Sequence, residues 1–197
     1  ESGDQVWAFI GMRRGGSSYY AIDISNPDSP SLLWTSPLTP SDTGLNELGQ
    51  TWSRPKVSFI DVKGFSNSPL LIFGAGYDTN KDNDSITNDS NGRGIFVVDA
   101  KTKTLVWSLT PSATGGTNTF FPGLHSIPSD ISILDSDYDG YIDRMYTVDS
   151  GGDVWRIDLP SDDPQDADEP WTVFKLASLS SATAPNDRRF FYQPEVA

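Results

Sequence analysis

Gly151-Gly152-Asp153-Val154-Trp155-Arg156-Ile157-Asp158 is a glycine pair followed by a strand-like run that ends on aspartate. That ending (aromatic, any residue, aliphatic, Asp) recurs at Phe96-Val97-Val98-Asp99 and at Tyr20-Ala21-Ile22-Asp23. Glycines precede each copy, at Gly92 and Gly94 and at Gly15-Gly16. Upstream of each glycine group lies another β-like run: Val6-Trp7-Ala8-Phe9-Ile10, Leu70-Leu71-Ile72-Phe73, and Arg144 to Val148. Downstream of each Asp, turn-forming residues lead to a Trp-bearing run: Leu32-Leu33-Trp34, Leu105-Val106-Trp107, and Trp171-Thr172-Val173-Phe174. A fourth element, Pro55-Lys56-Val57-Ser58-Phe59-Ile60-Asp61, aligns with Pro128 through Asp135 and begins a third time at Gln193-Pro194-Glu195-Val196.

The unit is therefore a four-stranded antiparallel meander recurring at about 60–75 residues, which is the signature of a β-propeller blade. The expected fold is all-β, with breaks near 55, 128 and 194 and a long acidic insertion loop at 78–93. In phase, the sequence opens at the second strand of one blade and stops at the first strand of another. That makes about three blades, where closed propellers have about four to eight. The expectation is an incomplete segment of a larger propeller, whose remaining blades lie in flanking sequence or another chain and cover its open edges. A self-sufficient β-sandwich built from the same strands is the competing reading. Ser41–Gln50 is polar and broken by glycine, so no more than a helical turn is expected there.

Composition narrows the function. Over 197 residues the net charge is −13, and the pI is about 4.2. Such a surface repels nucleic acid and anionic membranes. The absence of cysteine excludes disulfides, thiolate catalysis and zinc–thiolate sites. A single histidine, His125, argues against a histidine-based zinc or iron centre. No apolar stretch approaches the ~18 residues of a membrane span, so membrane insertion is not expected.

The acid concentrates in loops, and one loop has a pattern. Asp135-Ser136-Asp137-Tyr138-Asp139-Gly140-Tyr141-Ile142-Asp143 places side-chain oxygens at loop positions 1, 3, 5 and 9 with Gly at position 6. Alternate carboxylates then converge on one point, Tyr141 offers its backbone carbonyl, and Gly140 permits the sharp bend, as in the first part of an EF-hand loop. Position 12 is Tyr146 rather than Glu, and the flanks read as strands rather than helices. The expectation is a nine-residue calcium loop on a β-hairpin, with ligands Asp135, Asp137, Asp139, Asp143 and the Tyr141 carbonyl. Calcium is preferred over magnesium because the donors are all oxygen and the loop is flexible. A solvated acidic hairpin competes, but it must tolerate four carboxylates in nine residues. A weaker second candidate is Asp78, Asn80, Asp82 and Asp84, which alternates oxygens without the turn glycine and encloses Lys81. The cluster from Asp162 to Glu169 reads as a solvated loop.

The longer pattern resembles the C-terminal propeller of PilY/PilC-type type IV pilus proteins, a quinoprotein-dehydrogenase-like propeller. Phe9-Ile10-Gly11-Met12-Arg13-Arg14-Gly15-Gly16 with Tyr19 to Ile24 carries the likeness. So do Thr51-Trp52-Ser53-Arg54-Pro55, Gly74 to Asn80, Asp135 to Asp143 and Gly151 to Leu159, in the same order along the chain. The resemblance implies a non-enzymatic module at the cell surface, at the pilus tip, or in the periplasm and outer membrane of a Gram-negative bacterium. It implies minor pilins as partners, contact with a host or abiotic surface, and roles in pilus assembly, adhesion and twitching motility. It also implies calcium in the nine-residue loop, controlling extension against retraction.

Two alternatives remain at this level. One is a structural propeller stapled by calcium without switching. The other is a quinone-dependent dehydrogenase, against which stand one His, no Cys and no nucleophile–base pair. Core packing accounts for most of the aromatic residues, which fall at regular strand positions, without invoking a sugar platform. Arg13-Arg14 reads as part of a hairpin turn rather than an anion site.

Overall fold

The computed structural model describes residues 4–83, 87–181 and 187–196. Its strands form three sheets. The first holds β1 (Trp7–Gly11), β2 (Tyr19–Asp23) and β3 (Ser31–Leu32) in that order. The second holds β4 (Lys56–Ser58), β5 (Leu70–Gly74), β6 (Ile95–Asp99), β7 (Leu105–Thr110) and β8 (Asn118–Phe120). The third holds β9 (Ser132–Leu134), β10 (Arg144–Val148), β11 (Asp153–Asp158) and β12 (Thr172–Ser178). Sequence neighbours pair antiparallel throughout, apart from β8, which pairs parallel to β7. These are blade-like meanders, and the chain is an all-β partial propeller.

Sheet order follows from which faces are apolar. In β5 and β6 every residue is buried, because the central sheet is covered on both faces. Leu70, Ile72, Ile95 and Val97 join one cluster with Met145, Trp155 and Ile157 of the third sheet. The alternate residues Leu71, Phe73, Phe96 and Val98 join a second cluster with Tyr19, Ala21 and Trp34 of the first. Period-two alternation thus sends successive side chains of one strand into two different cores. By contrast β11 alternates buried and half-buried, with one face on the core.

The repeated residues have repeated jobs. Trp34, Trp107 and Trp171 are all buried. The indole of Trp34 donates to the Ala100 carbonyl at 3.0 Å, tying the first sheet to the second. Trp107 and Trp171 meet edge to face at 5.0 Å, tying the second to the third. The Asp ending each motif serves the strand exit. Asp99 accepts from the amides of Lys101 and Thr102, Asp23 accepts from that of Ser25, and Asp158 pairs with Arg144 and Arg156.

Two local expectations are amended, and a third holds. β8 has no counterpart in the repeat; it follows the glycine turn at 115–116 and covers the outer edge of β7. β3 stops at Leu32, because Trp34 turns into the core instead of continuing the ladder. Residues 41–50 form turns without a helix, held by burial of Leu45 and Leu48.

Candidate metal centre

The run 135–143 is the connection between β9 and β10. Arg144 pairs with Leu134 in the ladder, and the Asp143 amide donates to the Leu134 carbonyl at 2.9 Å, closing the hairpin. Tyr146 lies within β10 opposite Ser132, so the loop ends before an EF-hand's twelfth position. The amide of Ile142 donates to the Phe59 carbonyl at 3.0 Å, which anchors the loop on the β4–β5 connection.

Inside the loop, carboxylates set the backbone. Asp135 accepts from the amides of Tyr138 and Gly140 at 2.7 and 3.0 Å. Asp137 accepts from Asp139 at 3.2 Å, and Asp139 from Tyr141 at 2.8 Å. Both the amide and the hydroxyl of Ser136 donate to Asp143, at 2.5 and 2.6 Å. Gly140 sits at φ 95° and Tyr138 at φ 65°, so the bend draws on left-handed backbone twice. The Ser136 hydroxyl holds the Asp143 carboxyl below the usual carboxylate range. Partial burial opposes this, while the Ser136 amide and the charge of Arg144 assist.

Carboxylate oxygens of Asp135, Asp137 and Asp143 lie within 4.8 Å of one another. Two oxygens on opposite sides of a calcium ion stand about 4.6–5.2 Å apart, so this spacing fits one such ion. The Tyr141 carbonyl accepts no hydrogen bond among the described residues, which leaves it free to act as a ligand. Asp139 stands outside the three-carboxylate group, exposed, with its carboxylate turned to the Tyr141 amide. The donor set is all oxygen and suits a hard cation.

The second candidate run behaves differently. Asp84 lies outside the described residues. Asp78 is buried and accepts from the amides of Asn80, Ser90 and Asn91 and from the Ser90 hydroxyl. Asp82 takes a two-pronged bond from Arg14 at 2.8 and 2.7 Å and one from the Tyr77 hydroxyl. Asn80 donates to the Asn88 carbonyl. The alternation folds as a short 3-10 turn (Thr79–Asp82), and neither Asp78 nor Asp82 joins a cation-sized carboxylate group among the described residues.

Lys81, inside that run, is the residue whose role the sequence leaves unread. It is buried, donates to the Thr87 carbonyl at 2.7 Å and pairs with buried Asp89 at 3.4 Å. Asp89 in turn accepts from the Ser126 amide and the Ser150 hydroxyl. The one available sequence signal is a lysine in the middle of an acidic loop.

The profile of the family described as the PilY1 beta-propeller domain matches residues 2–185. The chain belongs to this family. Among curated relatives, the type IV pilus biogenesis factor PilY1 of Pseudomonas aeruginosa strain UCBPP-PA14 is 30% identical over 168 residues, covering 82% of this chain and 12% of that protein. The PilY1 homolog of Xylella fastidiosa strain Temecula1 is 27% identical over 175 residues, covering 82% of this chain and 10% of the relative. This chain thus spans only about a tenth of the PilY1 relatives it matches. The crystal structure of the P. aeruginosa PilY1 C-terminal domain superposes with a TM-score of 0.55 at 22% identity, covering 81% of this chain and 30% of that one. That likeness concerns the fold. Among the described residues, no helix is long and apolar enough to cross a membrane.

Proposed function

We propose that this chain is a calcium-binding, non-enzymatic module of a type IV pilus biogenesis protein, acting at the pilus tip with minor pilins. The observation that carries the calcium reading is the convergence of Asp135, Asp137 and Asp143 on a hairpin of a PilY1-family propeller. The pilus setting rests on relatives named as type IV pilus biogenesis factors. That setting supports a pilus-associated location, extracellular or periplasmic.

When bound, calcium would neutralise the clustered carboxylates and cross-link both ends of the loop. Asp135 and Asp137 sit at its start and Asp143 at its close, next to β10. Ordering the hairpin would then stiffen β9 and β10 and bias the protein towards supporting pilus extension, adhesion and twitching motility against retraction. A calcium staple without switching is the second reading. The bonds that Asp135, Asp137, Asp139 and Asp143 accept from the loop's own amides favour it, because the carboxylates then help to set the loop's backbone themselves.

The test is calorimetric titration of calcium, with magnesium as competitor, into the parent and Asp137→Ala. Asp137 is exposed and makes one local bond, so the variant keeps the fold. Saturable binding in the parent and none in the variant supports the site. Equal binding in both, or none in either, overturns it. Reversible binding in the micromolar range of calcium sensors supports switching, and much tighter binding supports the staple. The pilus role is tested by installing the same substitution in the full-length protein and scoring surface piliation and twitching.

A further inference from the structure

A cavity of about 370 Å³ lies at the other end of β9 from the acidic loop, lined by Trp52, Arg54, Asp130 and residues 191–193. Its walls come from equivalent places in the repeat. Trp52 and Arg54 precede β4, Asp130 precedes β9, and Tyr192 and Gln193 stand at the start of the third copy of that element. Arg13, from the turn between β1 and β2, completes the wall. The volume is at the small end of the ~300–1,000 Å³ range of small-ligand pockets.

The charge here is opposite to that of the chain. Arg54 is matched by Asp130, with Nε donating at 2.6 Å and the Arg54 amide donating to the other carboxylate oxygen at 2.6 Å. Arg13 has no ion pair among the described residues; its guanidinium lies 5.8 Å from the centre of the Trp52 ring. The wall is therefore left with one uncompensated positive charge in a chain of net charge −13. Arg13 is held there by its backbone, at φ 51°, with its amide donating to the Thr51 carbonyl at 3.1 Å. A non-glycine residue in left-handed backbone is strained, and here the strain places a guanidinium beside an aromatic ring.

Beside the cation stands an aromatic platform. Trp52, Tyr77 and Phe191 pack with centroids 5.2, 6.4 and 6.2 Å apart. Tyr192 projects 88% exposed, and Phe191 is partly exposed. The platform is rigid on the Trp52 side. Thr51 bonds to the Met12 amide, and the Ser53 carbonyl accepts from the buried Tyr19 hydroxyl.

We propose that this cavity binds a carboxylate-bearing sugar ring, as found in uronic-acid polysaccharides. The carboxylate would sit on the fork of Arg13, which matches its planar geometry. The ring's C–H face would lie on Tyr192 and Phe191, and its hydroxyls would meet the Gln193 carboxamide and the free edge of Arg54. An acidic peptide side chain offers the carboxylate without the apolar ring face or the hydroxyls. The site makes no use of the acidic loop, so it stands or falls independently of calcium.

The experiment titrates a trigalacturonic acid probe into the full protein with calcium held constant, followed by saturation-transfer NMR and calorimetry. Arg13→Gly removes the charge while suiting the left-handed backbone, so its melting temperature should match or exceed the parent's. Tyr192→Ala removes an exposed ring. The expected result is binding weakened about 10-fold in Arg13→Gly, with a similar loss in the parent when the probe is methyl-esterified. Weaker binding in Tyr192→Ala is expected as well. No binding at millimolar probe, binding indifferent to Arg13 and to esterification, or tighter Arg13-dependent binding of an acidic peptide would each overturn the proposal.

Discussion

Aspartate stands in two different settings in this chain, and the side chain alone does not say which. Asp137 is exposed, bonds one neighbouring amide and shares a cation-sized space with Asp135 and Asp143. Asp78 is buried under three amides and a hydroxyl, which engages both of its carboxylate oxygens in holding the 78–91 segment. Asp78→Ala strands those donors and should lower stability by about 2 kcal/mol, equally with and without calcium, as read by denaturant titration. Burial pushes the Asp78 carboxyl up, but the donors outweigh it and hold the group below its ordinary value of 3.8. A depressed folded-state value means that the group stabilises the fold above the unfolded value, and that this contribution is lost as pH falls through the folded one. Protection of the Ser90 and Asn91 amides, relative to their intrinsic exchange at each pH, should therefore fall below about pH 4 in the parent, and the stability of Asp78→Ala should vary less with pH across that range.

At the scale of elements, two connections at opposite ends of the sheets are built on different principles. The β9–β10 hairpin is polar, exposed and shaped by bonds from its own carboxylates. Chelating calcium should speed exchange at the Tyr138, Gly140 and Tyr141 amides while β5 and β6 remain protected. Uniform exchange across the chain would contradict that. The β5–β6 insertion is instead pinned by a buried ion pair, Lys81 with Asp89, reaching Ser126 and Ser150 of the third blade's approach. Lys81→Ala leaves the Asp89 charge buried and unpaired, at a cost of about 3–5 kcal/mol. A proteolysis time course should then show cleavage in 78–93 well before any cut in the strands.

For the whole molecule, stability resides in the contacts between sheets. The central sheet is a slab with two apolar faces, and Trp34 and Trp107 carry its links to either side. Trp107 is fully buried and also bonds Thr119 through its indole N–H at 3.0 Å. Trp107→Ala should cost about 3–5 kcal/mol, and it should loosen the second and third sheets together because the ring belongs to both. A hydrogen-exchange experiment on the variant in which the third sheet alone lost protection would argue against that shared core.

The repeat, the strands and the acidic hairpin loop were legible in the sequence because each depends on local rules. Period-two alternation, glycine before a strand and aspartate after it act over a few residues, so the β10 limits and the repeated Trp and Asp positions can be read directly. The nine-residue loop is likewise local, since its carboxylates and its turn lie in one run. Tertiary structure decided what depends on partners distant in the chain. The alternating oxygens at 78–82 look like a metal loop until Arg14, Tyr77, Ser90 and Asn91 are brought to them. Lys81 looks solvated until Asp89 meets it in the interior. Arg13, Trp52 and Tyr192 stand far apart in sequence, and only the stacking of successive blades puts them around one cavity. A hydrogen-bonded turn is encoded by its own residues, whereas a buried charge pair or a pocket wall is encoded by the chain's return.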